Sequence, residues 1–290
     1  MRLFFFYDTN FKPLRDNLVE TLQDAAPNDF DLQEDFIEDL GVMKNRAGGG
    51  VPTYLYKAQK IKDALDAVPE GEVFVFCDVD IQFFAPVRHI VEEAVKGVDL
   101  VLQREFEDIG VNIGFLAIRN TPATHRFWAH IHAEITRTQA LDQRVVNNTL
   151  YSGMAKTEFG LDWGRFPLEV WASSMAQSGR IPAQLVLHHA NFTIERCTSY
   201  DPSVKLAQMA EARRHVRGES DSFVQWVAAV QADSSMADYR DRHFGARRPG
   251  PEWHVLEPGH IARAGGFKEK RGAAAAKAAE SPPLAQEPAS

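Results

Sequence analysis

The chain of 290 residues, 44% hydrophobic and 10% aromatic, is long enough to bury one sizeable core, or a main domain with a small appendage. Its formal net charge of −8 and pI near 5.7 argue against non-specific attraction to nucleic acid or to an anionic membrane surface. An anionic small-molecule ligand would need a metal ion or clustered Lys and Arg. The two cysteines, Cys77 in an apolar run and Cys197 in a polar stretch, make no disulfide framework and fit a reducing compartment. The apolar stretch of "MRLFFFY" is too short for a signal-peptide core, and no later segment approaches a membrane-spanning length. The chain is predicted to be soluble and cytoplasmic, with peripheral membrane association left open.

In chain order, "RLFFFY" reads as a first buried strand, and residues 9–25 follow as a helix with Leu14, Leu18 and Leu22 at helical spacing. After a loop containing "RAGGG" (46–50), residues 54–68 form a second helix. Its apolar face carries Leu55, Ala58, Ile61, Leu65 and Val68, with Lys57 and Lys60 off that face. "EVFVFCDVD" (72–80) is a continuous Val/Phe run of the kind a strand buried on both sides requires. Residues 98–105 and 111–120 read as further strands. Residues 121–137 read as a helix with Thr121 as N-cap, Pro122 at its first position and Phe127, Trp128, Ile131 and Ile135 in the core. A short helix over 141–151, a last strand over 183–192 and a helix over 221–231 complete the series. This alternation predicts an α/β sandwich with a mainly parallel sheet. From about residue 245 the chain turns rich in Ala, Pro, Gly and charge, which predicts a catalytic unit over 1–244 and a disordered tail over 245–290.

The two aspartates of "FCDVDIQFF", Asp78 and Asp80, end the most apolar strand. In an open α/β sheet, ligands sit beyond the carboxyl ends of the strands, so carboxylates there face the binding crevice. Two carboxylates this close repel each other unless a cation joins them, which makes a hard divalent metal their natural partner. Three readings follow: a strand-end turn with solvated acids, a haloacid-dehalogenase-like phosphatase, and a glycosyltransferase with a D-x-D metal site. The phosphatase pattern wants Thr or Val where this chain has Gln82, and a later acidic motif not found here.

"VNIGFLAIRN", "LDQRVVNN" and "VLHHANF" follow "FCDVDIQFFAP" in the order of the D-x-D, N-x-G-F, D-Q and H-x-N motifs of the nucleotide-diphospho-sugar transferase family. Over roughly residues 1–210 the chain resembles that family of retaining GT-A enzymes, which includes plant xylosyl- and arabinosyl-type transferases. The resemblance implies a Rossmann-like GT-A fold, a nucleotide-sugar donor of UDP type, and a Mn²⁺ (or Mg²⁺) ion. Asp80 corresponds to the direct metal ligand, Asp78 to the acid that reaches the ribose and the metal's waters, and His189 or its neighbour His188 to the third ligand. His189 is favoured because it stands immediately before "AN". Asn112 and Gly114 would line the donor-sugar pocket, the amide bonding sugar hydroxyls and the glycine admitting the ligand to the backbone. Asp142 and Gln143 match the pair at the reactive face of the sugar. Tyr7, Thr9 and Asn10 end the first strand, where base and ribose are expected, and Lys57 and Lys60 lie within reach of the diphosphate. The family's Gly and Lys after its histidine are absent here, leaving Arg196 or Lys205 as substitutes. The acceptor, whether glycan, small molecule or protein, has no motif. A phosphatase using Asp78 and Asp80, or a non-catalytic nucleotide-sugar binder, is the alternative.

Overall fold

The computed structural model describes residues 1–38, 53–105, 110–192 and 201–232. The glycine-bearing loop 46–50, Arg196, Cys197 and the tail expected over 245–290 lie outside them. Strand β1 (Arg2–Asp8), helix α1 (Lys12–Ala25), β2 (Asp31–Ile37), α2 (Thr53–Ala67) and β3 (Val73–Cys77) form the first half. The chain continues through β4 (Ile81–Phe83), α3 (Arg88–Ala94), β5 (Leu100–Arg104), β6 (Val111–Arg119), α4 (Pro122–Thr138), α5 (Asp142–Tyr151) and α6 (Met154–Phe159). It closes with β7 (Trp163–Arg165), β8 (Val170–Ala172), a 3-10 helix (Ser173–Ser178), β9 (Leu187–His189), α7 (Pro202–Val216) and α8 (Ser222–Ala232).

The main sheet has the order β2-β1-β3-β6-β5-β7. Among the described strands of this sheet, only β6 runs against its neighbours; the others share one direction. Period-two alternation sends Phe6, Phe74 and Phe76 to one face, against Ile61 and Leu65 of α2 and Phe127, Trp128, Ile131 and Ile135 of α4. Leu3, Phe5, Val75 and Cys77 go to the other, against Leu14, Leu18 and Leu22 of α1. Burying one such side chain contributes on the order of 1.5–3 kcal/mol, so the apolar run of β3 locks the strand between two helical layers. The architecture is the α/β/α sandwich expected from the alternation.

A second sheet, β4-β9-β8, lies beside the first and is backed by Phe223, Trp226, Val227 and Val230 of α8. It changes two expectations. The strand read over 72–80 ends at Cys77, and Asp78–Asp80 is the passage into β4. The strand read over 183–192 shrinks to Leu187–His189 and joins the small sheet, not the main one. Strands β2, β4, β7 and β8, helices α3, α6 and α7, and the 3-10 helix are additional to the elements predicted.

Candidate active site

The acids sit where the chain leaves one sheet for the other. Asp78 N donates to Gly114 O at 2.7 Å, tying the end of β3 to β6, and Ala190 N donates to Asp80 O at 2.8 Å, tying the start of β4 to the end of β9. Ile81 pairs with His189 in the small sheet. Both carboxylates are thus set by backbone bonds before any side-chain contact is counted.

Asp78, Asp80 and His189 each offer one ligand atom, all within 4.8 Å of one another. His189 Nε2 lies 3.2 Å from Asp80 Oδ1 and 3.8 Å from Asp78 Oδ2. Its Nδ1 is 3.0 Å from Gln103 Oε1, a partner that favours the proton on Nδ1 and frees the Nε2 lone pair for a metal. Two carboxylates and an imidazole suit Mn²⁺ or Mg²⁺, so the donor set fits the ion expected from the motif. His188, one residue earlier, faces the opposite way, as alternation demands. It is buried between Gln82 Nε2 and Ser173 Oγ, each at 2.8 Å, and stacks on Trp171. Burial holds it neutral, its pKa pushed down to about 3.

Each carboxylate also meets a lysine. Lys57 Nζ lies 2.7 Å from Asp78 Oδ1. Lys205 Nζ donates to Asp80 Oδ2 and, at 3.0 Å, to Ala190 O. Burial alone would raise the Asp80 carboxyl, but Lys205 and then His189 hold it well below the usual carboxylate range. Burial alone would lower Lys57, but Asp78 and then Asp142 hold it up. Lys57 therefore does not lie off the packed face of α2: it is 5% exposed, buried because Asp78 supplies the counter-charge.

Asp142 opens α5. Burial pushes its carboxyl up to about 6, with Lys57 opposing. Beside it, Gln143 Nε2 donates to Glu105 Oε2 at 2.9 Å. Asn112 Nδ2 donates to the same oxygen at 3.0 Å, and Asn112 Oδ1 accepts from Gly114 N at 2.8 Å. The Asn112 amide, expected to bond sugar hydroxyls, is thus engaged within the protein. The space over Gly114 holds the His189 ring: a Cβ there would fall 2.7 Å from Nε2 and closer still to Nδ1 and Cε1. This glycine admits an imidazole rather than a ligand to the backbone.

The remaining expected residues have their own surroundings. Tyr7 points to the α1 side, where its ring packs on Phe36 at 5.3 Å and under Arg15. Thr9 and Asn10 are exposed in the turn after β1. Lys60, expected within reach of the diphosphate, pairs with Asp35 at 2.9 Å and Asp63 at 3.3 Å. Gln103 and Glu105 join the site without having been singled out. Their signal is the same as that of the two aspartates: polar residues alternating at the end of an apolar strand, "LVLQRE".

A family model described as nucleotide-diphospho-sugar transferase matches residues 43–234. No curated protein matches. Among solved structures, galactosyltransferase LgtC in complex with donor and acceptor sugar analogues is 12% identical, covering 76% of this chain and 100% of its own, with a TM-score of 0.46. A glycosyltransferase involved in glycosylation of the major capsid of PBCV-1 is 9% identical, covering 71% and 98%, with a TM-score of 0.49. The apo form of GlyE from Streptococcus pneumoniae TIGR4 is 12% identical, covering 73% and 63%, with a TM-score of 0.48.

Proposed function

The chain belongs to the nucleotide-diphospho-sugar transferase family and is a glycosyltransferase; from that premise we propose that it moves a sugar from a UDP-type donor to an acceptor hydroxyl with retention of configuration, using Mn²⁺ or Mg²⁺ held by Asp78, Asp80 and His189. The observation that carries this reading is the convergence of those three ligand atoms within 4.8 Å at the carboxyl end of β3. The dehalogenase-type phosphatase reading falls with the family.

When bound, the ion supplies charge neutralisation for the nucleoside diphosphate as it leaves. Lys57 and Lys205, the ammonium groups beside the two aspartates, support the same negative charge. Asp142, its charge felt by both Lys57 and Asp78, steadies the positive character that develops at the anomeric carbon. Gln143 orients the sugar beside it, and Glu105 fixes the Gln143 amide. The acceptor, a glycan, small molecule or protein, approaches from the leaving-group side. Residues 1–244 act as the catalytic unit and 245–290 as an appended tail. Among the described residues, no helix is long and apolar enough to cross a membrane, and the reading places the enzyme in the cytoplasm.

Thermal unfolding with and without Mn²⁺, across UDP, GDP, CDP and ADP, tests this reading. A ligand at a hundredfold excess over its dissociation constant stabilises the native state by about 2.7 kcal/mol. The expected result is a metal-dependent upward shift with UDP that disappears in Asp80→Ala and in the isosteric Asp80→Asn. A shift absent for every nucleotide, or unchanged in both variants, would refute the site. Sugar transfer to an acceptor would then separate a transferase from a binder.

A further inference from the structure

We propose that Lys205 is a donor-binding residue that rests on Asp80 and competes there with the divalent ion, so that metal and nucleotide diphosphate bind as one unit and each alone binds weakly. This rests on the metal reading of the site and adds an order of assembly to it.

The Asp80 carboxylate is used on both sides. Oδ1 faces His189 Nε2 at 3.2 Å, while Oδ2 accepts from Lys205 Nζ, whose other acceptor is Ala190 O at 3.0 Å. Asp78 has its own ammonium in Lys57. Asp78 and Asp80 are thus each matched by an ammonium group, with Asp142 a further carboxylate in electrostatic reach of Lys57. The Asp80 and Lys205 side chains are both only 11% exposed, and excess charge there is poorly solvated and costly. A divalent ion entering alone would bring two positive charges against an ammonium already on Asp80 Oδ2. A divalent ion entering with a diphosphate brings its own balancing charge. Lys205 then exchanges one anion for another, turning from the carboxylate to a phosphate oxygen.

The chain is built for a side-chain movement of this kind. Helix α7, which carries Lys205, is docked by Gln82 Nε2 donating to Met209 O at 3.0 Å and by Gln208 Nε2 donating to Ser173 Oγ at 2.8 Å. Its backbone stays on the small sheet while the four-carbon Lys205 stem swings. A lysine suits this role better than an arginine, being a compact point charge without a fixed bidentate geometry.

The test is direct measurement of Mn²⁺ binding, by the paramagnetic resonance signal of the free ion, with and without UDP. Wild type should bind Mn²⁺ weakly alone and much more tightly with UDP, within the range of about 5- to 150-fold typical of coupled sites. Lys205→Met, which keeps the stem and loses the charge, should bind Mn²⁺ alone at least about tenfold more tightly and lose most of the enhancement by UDP. Lys205→Arg, which restores the charge, should return Mn²⁺ binding without UDP to the weak wild-type level. Lys205→Gln takes the place of Lys205→Met if that variant does not fold. Equal Mn²⁺ affinity of wild type and Lys205→Met without UDP overturns the competition while leaving the metal site standing. Absence of Mn²⁺ binding in every protein, with UDP present, removes the metal reading and the competition together.

Discussion

Asp80 and Asp142 are carboxylates of one site driven in opposite directions. Lys205 and His189 overcome the burial of Asp80 and keep it ionised, whereas burial lifts Asp142 from an ordinary 3.8 to about 6, a separation that commonly marks groups with different tasks. The raised value means that native Asp142 holds its proton more tightly than the unfolded chain does. Its favourable contribution is present below about pH 4 and is lost as pH rises through about 6. Asp142→Asn should accordingly be more stable than wild type at pH 7.5, by about 3 kcal/mol, with the gap closing near pH 4. Urea unfolding at the two pH values measures this, and a gap independent of pH would contradict it. At Gly114 the argument is steric. A methyl group there overlaps the His189 ring, so Gly114→Ala should cost about 1–3 kcal/mol, the usual range for overpacking. It should also abolish the thermal shift with Mn²⁺ and UDP while leaving the circular dichroism spectrum native. A shift of wild-type size in that variant would show that the imidazole has no part in holding the ion.

The elements differ in how openly their sequences declare them. Helix α4 is legible because its signals agree: Thr121 accepts from Thr124 N, Thr124 Oγ1 accepts in return from Thr121 N at 3.0 Å, Pro122 follows the cap, and a periodic apolar face is buried beneath. Thr121→Ala should cost about 1 kcal/mol in urea unfolding and leave the nucleotide shift untouched; a change in that shift would mean α4 communicates with the site. Strand β3 is equally plain as an unbroken apolar run. Strand β2, by contrast, is polar in composition, "DLQEDFI", and lies at the edge of the sheet among the described residues, paired with β1 alone. Helix α7 is hidden for a different reason. Its buried face includes Lys205 and Gln208 beside Met209 and Ala212, residues that hydrogen-bond into the site and the small sheet, so it carries no clean apolar stripe for periodicity to detect.

At the scale of the molecule, the two sheets meet at the acids. "DVD" looks from sequence like the end of a strand because the apolar residues on both sides are continuous; only the pairing of Ile81 with His189 shows that the second half belongs to another sheet. The placement of Asp78, Asp80 and His189 was readable from spacing and motif order. The placement of Lys57 was readable only in part, since an isolated helix gives no hint of the carboxylate that lets a lysine be buried. Gln103 and Glu105 alternate at the end of β5, a pattern visible in the sequence, but their partners His189, Asn112 and Gln143 come from other elements and are not. The contact between Gly114 on the main sheet and His189 on the small sheet also has an evolutionary meaning. Two positions remote in the chain share one volume, so descendants of this sequence are not free to change them one at a time. Across an alignment, a side chain larger than glycine at the first position should coincide with loss of histidine at the second, and lineages showing that pair of changes should have abandoned the proposed metal centre.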